Sequence, residues 1–343
     1  MESLSFVFDP RPNFPLLTTA KRYWKPDSQF FNDPSAVTLI FAHGTSFHKE
    51  QWEPTIEELW SLVDSNGNRL HIREVWSIDA PNHGDAAILN EERLSVGYQP
   101  IFRWEEYGRV IHSLLMGLGK GIDTDFSKHR LVGVGHSMGA ASLLLSMNYF
   151  PQIKFESLVL IEVMIMKLNS TFGITVESNV LASGSVNRRD VWASQEDAYT
   201  SLKSKKSWQV WDDRVLKVFV KHGLRSLPTL DYPDIKEGLT LKCTRKQETA
   251  TYLDQLGPSS IYRDFSSYVK RVPIHLVYGA IDDYILKDWK EDVVNNAIGG
   301  VKHLASYSRI PKAGHLAVQT NPAGVACAIY DALTRESGTS AKL

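Results

Sequence analysis

Apolar and polar positions along this chain change period several times, and each change predicts an element. Residues 4–8 and 16–24 alternate apolar with polar side chains, the period of a strand with one face on a core. Residues 36–42 are almost continuously apolar, as in a strand covered by helices on both sides. From Gln51 the spacing turns helical, with Ile56, Leu59, Trp60 and Val63 on one side. Residues 75–78 predict another strand, and 104–118 a helix with Tyr107, Ile111, Leu114, Leu115 and Leu118 on one face. Short buried-type runs recur at 131–134, 158–161 and 273–278, a last short strand is expected near 306–310, and Val325, Ile329 and Leu333 mark a closing helix. Strands alternating with helices in this way predict an α/β fold, a mostly parallel sheet flanked by helices.

The alternation breaks between residues 167 and 267. That stretch holds Trp192, Trp208 and Trp211 and a helical pattern through Val215, Leu216, Phe219 and Val220, with no buried-strand run. It reads as a helical lid over the site, inserted between a first part of the core at 1–166 and a second at 268–335. Residues 336–343 are left as a flexible tail.

Candidate chemistry centres on Gly135-His136-Ser137-Met138-Gly139, which joins the strand at 131–134 to the helix-forming residues 140–145. A G-x-S-x-G sequence between strand and helix places a serine hydroxyl on a tight elbow at the edge of a sheet. A serine hydroxyl needs a base to take its proton and a carboxylate to orient that base. Among 11 histidines the candidate base is His315, on a Gly-His turn after the final strand. Two carboxylates stand at strand ends: Asp282, three residues past Gly279, and Glu162, which closes the strand after the serine's helix. Either is placed to serve. The oxyanion donors expected are the N–H groups of Met138 and of Thr45, which follows His43-Gly44.

Bulk properties narrow the classes. At 343 residues the chain can build one large α/β domain with an insertion. Its 38 basic and 39 acidic residues include no long basic block, which argues against nucleic acid as a partner. Cys243 and Cys327 lie far apart, arguing against a disulfide scaffold or a zinc site and for a reducing compartment. His43, His48 and His83 match no metal-ligand spacing and read as loop-shaping residues, so neither metal nor cofactor is expected. Arg188, Arg189, Lys203, Lys205 and Lys206 read as a solvated face, with the phosphates of coenzyme A as the alternative. Residues 158–166 are too short to cross a bilayer, and the start at Met1-Glu2 lacks a secretory pattern. The ending Ala341-Lys342-Leu343 differs from the Ser-Lys-Leu peroxisomal address by serine to alanine, and predicts a peroxisomal matrix location through the import receptor.

With these residues in place, the chain resembles the α/β-hydrolase superfamily over almost its whole length. More narrowly, it is similar to the peroxisomal serine hydrolases of fungi, the group of the mycophenolic acid acyl-CoA hydrolases, the host-toxin biosynthesis hydrolases and the yeast peroxisomal lipases. The resemblance rests on His43-Gly44 through Phe47-His48-Lys49-Glu50 to Glu53-Pro54, the Gly-His-Ser-Met-Gly elbow, Asp190-Val191-Trp192, Gly314-His315-Leu316 and the Ala-Lys-Leu ending. It implies a carboxylate at the place of Glu162, usually as aspartate, and none needed at that of Asp282. This chain departs from that pattern at both places, and the resemblance favours Glu162 with Asp282 as the rival. It further implies a small-molecule acyl substrate, with a coenzyme A thioester foremost. A carboxylesterase or lipase with the same site, and a non-hydrolytic protein that binds a ligand or guides a cyclisation, are the alternatives.

Overall fold

The apolar runs pair into one eight-stranded sheet. The computed structural model describes residues 1–67, 69–168, 173 and 175–335. The sheet begins with β1 (Glu2–Phe8), β2 (Thr18–Trp24), β3 (Val37–Ala42), β4 (Ile72–Ile78), β5 (Arg130–His136) and β6 (Phe155–Ile161). After an insertion carrying β7 (Val191–Trp192), β8 (Leu224–Ser226) and β9 (Leu239–Leu241), it is completed by β10 (Ile274–Gly279) and β11 (Ser306–Ile310). Strand order is β1-β2-β4-β3-β5-β6-β10-β11; β2 runs antiparallel to both its neighbours, and every other pair is parallel.

The continuous apolar runs lie where both sheet faces are covered. Every residue of β3 and β10 is buried, whereas edge strand β1 is largely exposed. On one face, the helices Trp104–Leu115, Met138–Ser146 and Leu256–Arg271 bring Tyr107, Ile111, Leu143, Ile261 and Phe265 onto the sheet. On the other, Glu53–Ser65 and Pro322–Thr334 pack Ile56, Leu59, Trp60, Val325 and Ile329 against it. β4 starts before its apolar run because polar Glu74 is buried with partners: Arg22 on β2 and the indole N–H of Trp76 both donate to it.

Between β6 and β10 the chain leaves the sheet, as the pattern predicts, but the inserted stretch is not purely helical. Beside the helices Val180–Asn187, Gln195–Lys203, Asp213–Gly223 and Arg245–Tyr252, it carries a three-stranded antiparallel sheet, β7-β9-β8. These strands are two or three residues long, too short for a period-2 signal to register. The boundary expected at residue 267 falls inside the helix Leu256–Arg271, which packs on the core. The insertion has its own apolar cluster, with Trp192, Leu202, Trp211, Leu216 and Phe219 packed around Phe47 from the loop after β3. Among the described residues, no helix is long and apolar enough to cross a membrane. The tripeptide Ala341, Lys342 and Leu343, expected to act as a peroxisomal address, lies outside the described residues.

Candidate active site

Parallel strands deliver their carboxyl ends to one edge, and the sequence-predicted residues gather there. β5 ends at His136, and Ser137 follows with φ 52° and ψ −118°, a strained backbone held by its N–H donating to the carbonyl of Ile161 (3.0 Å). Glycine at 139 is a steric requirement of that turn: a Cβ there would lie 2.2 Å from the carbonyl oxygen of Ala42. Glu162 follows β6 with φ +47°, and His315 lies beyond β11.

The structure joins three of these side chains. Ser137 Oγ–H donates to His315 Nε2 (3.0 Å), and His315 Nδ1–H donates to Glu162 Oε2 (3.2 Å). An ionised carboxylate only accepts, so it holds the imidazole with the proton on Nδ1 and the lone pair on Nε2 facing the serine. Burial alone would raise the Glu162 carboxyl. The bond to His315, the N–H of Gly279 and the ammonium of Lys290 outweigh burial and hold it below its ordinary value. Glu162 is therefore an anion at neutral pH.

Asp282, the rival candidate for the orienting acid, is turned to other partners. Its Oδ1 takes Lys290 Nζ (3.0 Å) and Arg309 Nη2 instead. The neighbouring Asp283 turns the other way: its Oδ1 accepts the backbone N–H groups of His315 (2.8 Å) and Tyr284 (2.7 Å). Of the two adjacent carboxylates, the second holds the backbone of the histidine.

Sequence reasoning missed three supports. Asp283 is one. His136, the variable residue of the elbow, is another: its Nε2–H donates to the carbonyl of His315 (2.7 Å), and burial lowers its pKa to about 3, so it is neutral. Lys290, 1% exposed, is the third. Two consecutive aspartates were visible, but nothing local says which one turns inward, and a lysine on a short helix carries no signal of burial.

Met138, which follows the serine, and Thr45 meet through their side chains, with Thr45 Oγ1 lying 3.5 Å from Met138 Sδ. The loop bearing Thr45 is pinned from below. Ser46 N–H donates to His83 Nε2 (3.0 Å), and Ala80 N–H to His43 Nε2 (3.0 Å). Buried Lys49 pairs with Asp79 (2.9 Å), Asp85 (2.7 Å) and Glu50 (3.0 Å). The three histidines that could have suggested a metal each commit at least one ring nitrogen to these loops, His48 through Nδ1 to Glu50 (2.9 Å). Among the described residues, no group of histidine, cysteine and carboxylate side chains is placed to hold a metal ion.

A cavity of about 230 Å³ opens over Ser137 and His315. One wall is aromatic, from Phe47, Trp208, Trp211 and Phe219. The opposite wall is polar: Ser46 Oγ meets Glu248 and the Tyr252 hydroxyl, and Arg188 Nη2 lies 2.7 Å from Glu248 Oε2. The basic set at 188–206 is thereby divided. Arg188 turns into the cavity, while Arg189 pairs with Asp197 (2.8 Å) and Lys203 with Asp213 (3.6 Å) on the surface.

Residues 39–328 match the family described as the alpha/beta hydrolase family. The chain belongs to the α/β-hydrolase family. Within it, the chain is 29% identical over 201 residues to the type I acyl-CoA thioesterase mpaH of Penicillium brevicompactum, covering 59% of this chain and 43% of that one. It is 32% identical over 126 residues to the peroxisomal membrane protein LPX1 of Saccharomyces cerevisiae, covering 37% of this chain and 30% of that one. The matches thus span less than half the length of these curated relatives. Among solved structures, the peroxisomal alpha-beta-hydrolase Lpx1 of Saccharomyces cerevisiae shares the fold of this α/β hydrolase with a TM-score of 0.69 at 19% identity, covering 100% of this chain and 92% of that one.

Proposed function

We propose that this α/β hydrolase is a serine hydrolase that cleaves an acyl thioester, an acyl-CoA foremost. The observation that carries the reading is the hydrogen-bonded line from Ser137 through His315 to Glu162 at the floor of the cavity. In this reaction Ser137 Oγ attacks the acyl carbon and passes its proton to His315 Nε2. Glu162 steadies the imidazolium that forms, and the oxyanion takes the N–H groups of Met138 and Thr45. Collapse breaks the carbon–sulfur bond, and the departing thiolate takes the proton from His315. Water, deprotonated by the same histidine, then attacks the acyl-serine, releasing a carboxylic acid and restoring the hydroxyl. Every proton is carried by His315, so this chemistry needs neither metal nor cofactor.

The aromatic wall suits a bulky acyl group, and the thioesterase named among the relatives supports the thioester over an oxygen ester. The insertion acts as the lid that closes the acyl pocket. A peroxisomal place in fatty-acyl or secondary metabolism is supported by the yeast relatives named as peroxisomal; punctate fluorescence of a tagged full chain, co-localised with a peroxisomal marker, tests it.

Release of free thiol from a panel of acyl-CoAs, varied in chain length and in aromatic content, tests the reaction. Serine-dependent release, lost in Ser137→Ala by about 10³-fold or more, is expected. Faster turnover of p-nitrophenyl esters than of every acyl-CoA would move the reading to a carboxylesterase. No turnover of either by the folded protein would favour a non-hydrolytic role.

A further inference from the structure

Lysine is seldom buried, because taking its ammonium out of water is costly unless it is paired. Lys290, on the helix Lys287–Asp292, is 1% exposed. Its Nζ lies 3.1 Å from Glu162 Oε1, 3.0 Å from Asp282 Oδ1, 3.3 Å from the carbonyl oxygen of Gly279 and 3.4 Å from that of Ile281, and 5.2 Å from the ring centre of Tyr278. A lysine that merely tied its helix to the loop after β10 would be satisfied by Asp282 and the two carbonyls, since an ammonium has three protons to give. The remaining acceptor is the carboxylate that faces His315.

That carboxylate needs a clamp. A glutamate has one more rotatable bond than an aspartate, so its terminal group has more directions to lose. Glu162 Oε1 takes both the N–H of Gly279 and the ammonium of Lys290, which leaves Oε2 aimed at His315 Nδ1. We propose that Lys290 is a positioning residue of the reaction: it fixes Glu162 by one oxygen so that the other orients His315, with Asp282 as its counter-anion on the far side. This rests on the reading that Ser137, His315 and Glu162 form the hydrolytic site. The two acids at neighbouring strand ends then have different tasks, one touching the histidine and the other neutralising the lysine that holds the first.

The charge also has a consequence for proton uptake. Lys290, His136, Tyr278 and His315 face Glu162, while Arg309 pairs with Asp282 and Asp283 holds the His315 backbone. An ammonium behind Glu162 opposes a second positive charge on His315. Replacing it by a neutral side chain therefore favours imidazolium and moves the acidic limb of activity to higher pH.

The test reads the rate at which a fluorophosphonate labels Ser137 between pH 5 and 9, which needs no knowledge of the acyl substrate. Hydroxyl oxygen attacks phosphorus, fluoride leaves and His315 takes the proton, so the rate reports the serine's activation. Lys290→Met should label on the order of tenfold to a hundredfold more slowly at saturating probe, with unchanged probe affinity and an acidic limb raised by roughly one unit. Lys290 does not line the cavity, which is why affinity is spared. Lys290→Gln, with an amide donor and no charge, covers the case in which the methionine variant does not fold; it should show the same shift in the limb. Wild-type rate and limb in either folded variant, with Glu162→Gln inactive, overturns the role of Lys290 alone. Full labelling of Glu162→Gln overturns the reading of the site beneath it.

Discussion

At Glu162 a long side chain leaves a backbone with φ +47° and still meets three groups at once, His315, Gly279 and Lys290. Its length is part of the geometry. Glu162→Asp withdraws the carboxylate by about 1.5 Å, so it cannot keep both the histidine and the clamp; kcat should fall on the order of tenfold to a hundredfold. Asp282→Asn, on a partly exposed side chain paired away from the histidine, should cost about threefold or less in kcat, the scale of an exposed ion pair. Steady-state kinetics of the two variants side by side check this, and equal losses would contradict the assignment. Ser137 and His315 were singled out in the sequence because each sits in a short local pattern, Ser137 in Gly-x-Ser-x-Gly after the apolar run 131–134 and His315 directly after Gly314. The acid was not, because Asp282 and Glu162 stand at ends of adjacent strands β10 and β6, and side-chain direction is set by partners distant in sequence.

Among elements, the loop between β3 and the helix Glu53–Ser65 carries the heaviest electrostatic construction. Lys49 is fully buried, and although burial works against its charge, Asp79, Glu50 and Asp85 raise its pKa and keep it protonated. The same Asp79 accepts the backbone N–H of Lys49 (2.8 Å) and the hydroxyl of Thr19 (2.6 Å). This network fixes the loop that carries Thr45. Lys49→Met strands buried carboxylates without a partner and should cost about 3–5 kcal/mol of stability; a urea unfolding midpoint unchanged from wild type would refute the network's role. The stretch Phe47-His48-Lys49-Glu50 was conspicuous in the sequence, but its contribution was not, because a lysine beside a glutamate on a loop ordinarily faces water. The strands of the core were legible for the opposite reason: apolar runs of about four to six residues have one way to be buried, whereas the two- and three-residue strands of the insertion leave no period to read.

For the whole molecule, burial of neutral histidines links stability to pH. Burial lowers His43 to about 4, His136 to about 3 and His275 to about 4, and holds His83 well below its ordinary 6.5. In the unfolded chain each binds a proton near pH 6.5, but in the native protein only below those lowered values. Between about 6.5 and 4 the unfolded state therefore holds more protons, and stability falls as pH falls. The urea midpoint should decline steadily from pH 7 to pH 5; a flat or rising midpoint would contradict the burial of these groups as neutral rings. His43, His83 and His136 lie in or under the site, so the same acidification that loosens the fold loosens the loops presenting Thr45 and His315. The most direct test of a working Ser137–His315–Glu162 site is peptide mapping of the whole protein after treatment with a fluorophosphonate at neutral pH. A single adduct on Ser137, absent in His315→Ala, is the expected result. A folded wild-type protein that takes no adduct at Ser137, or one that labels equally without His315, would contradict it.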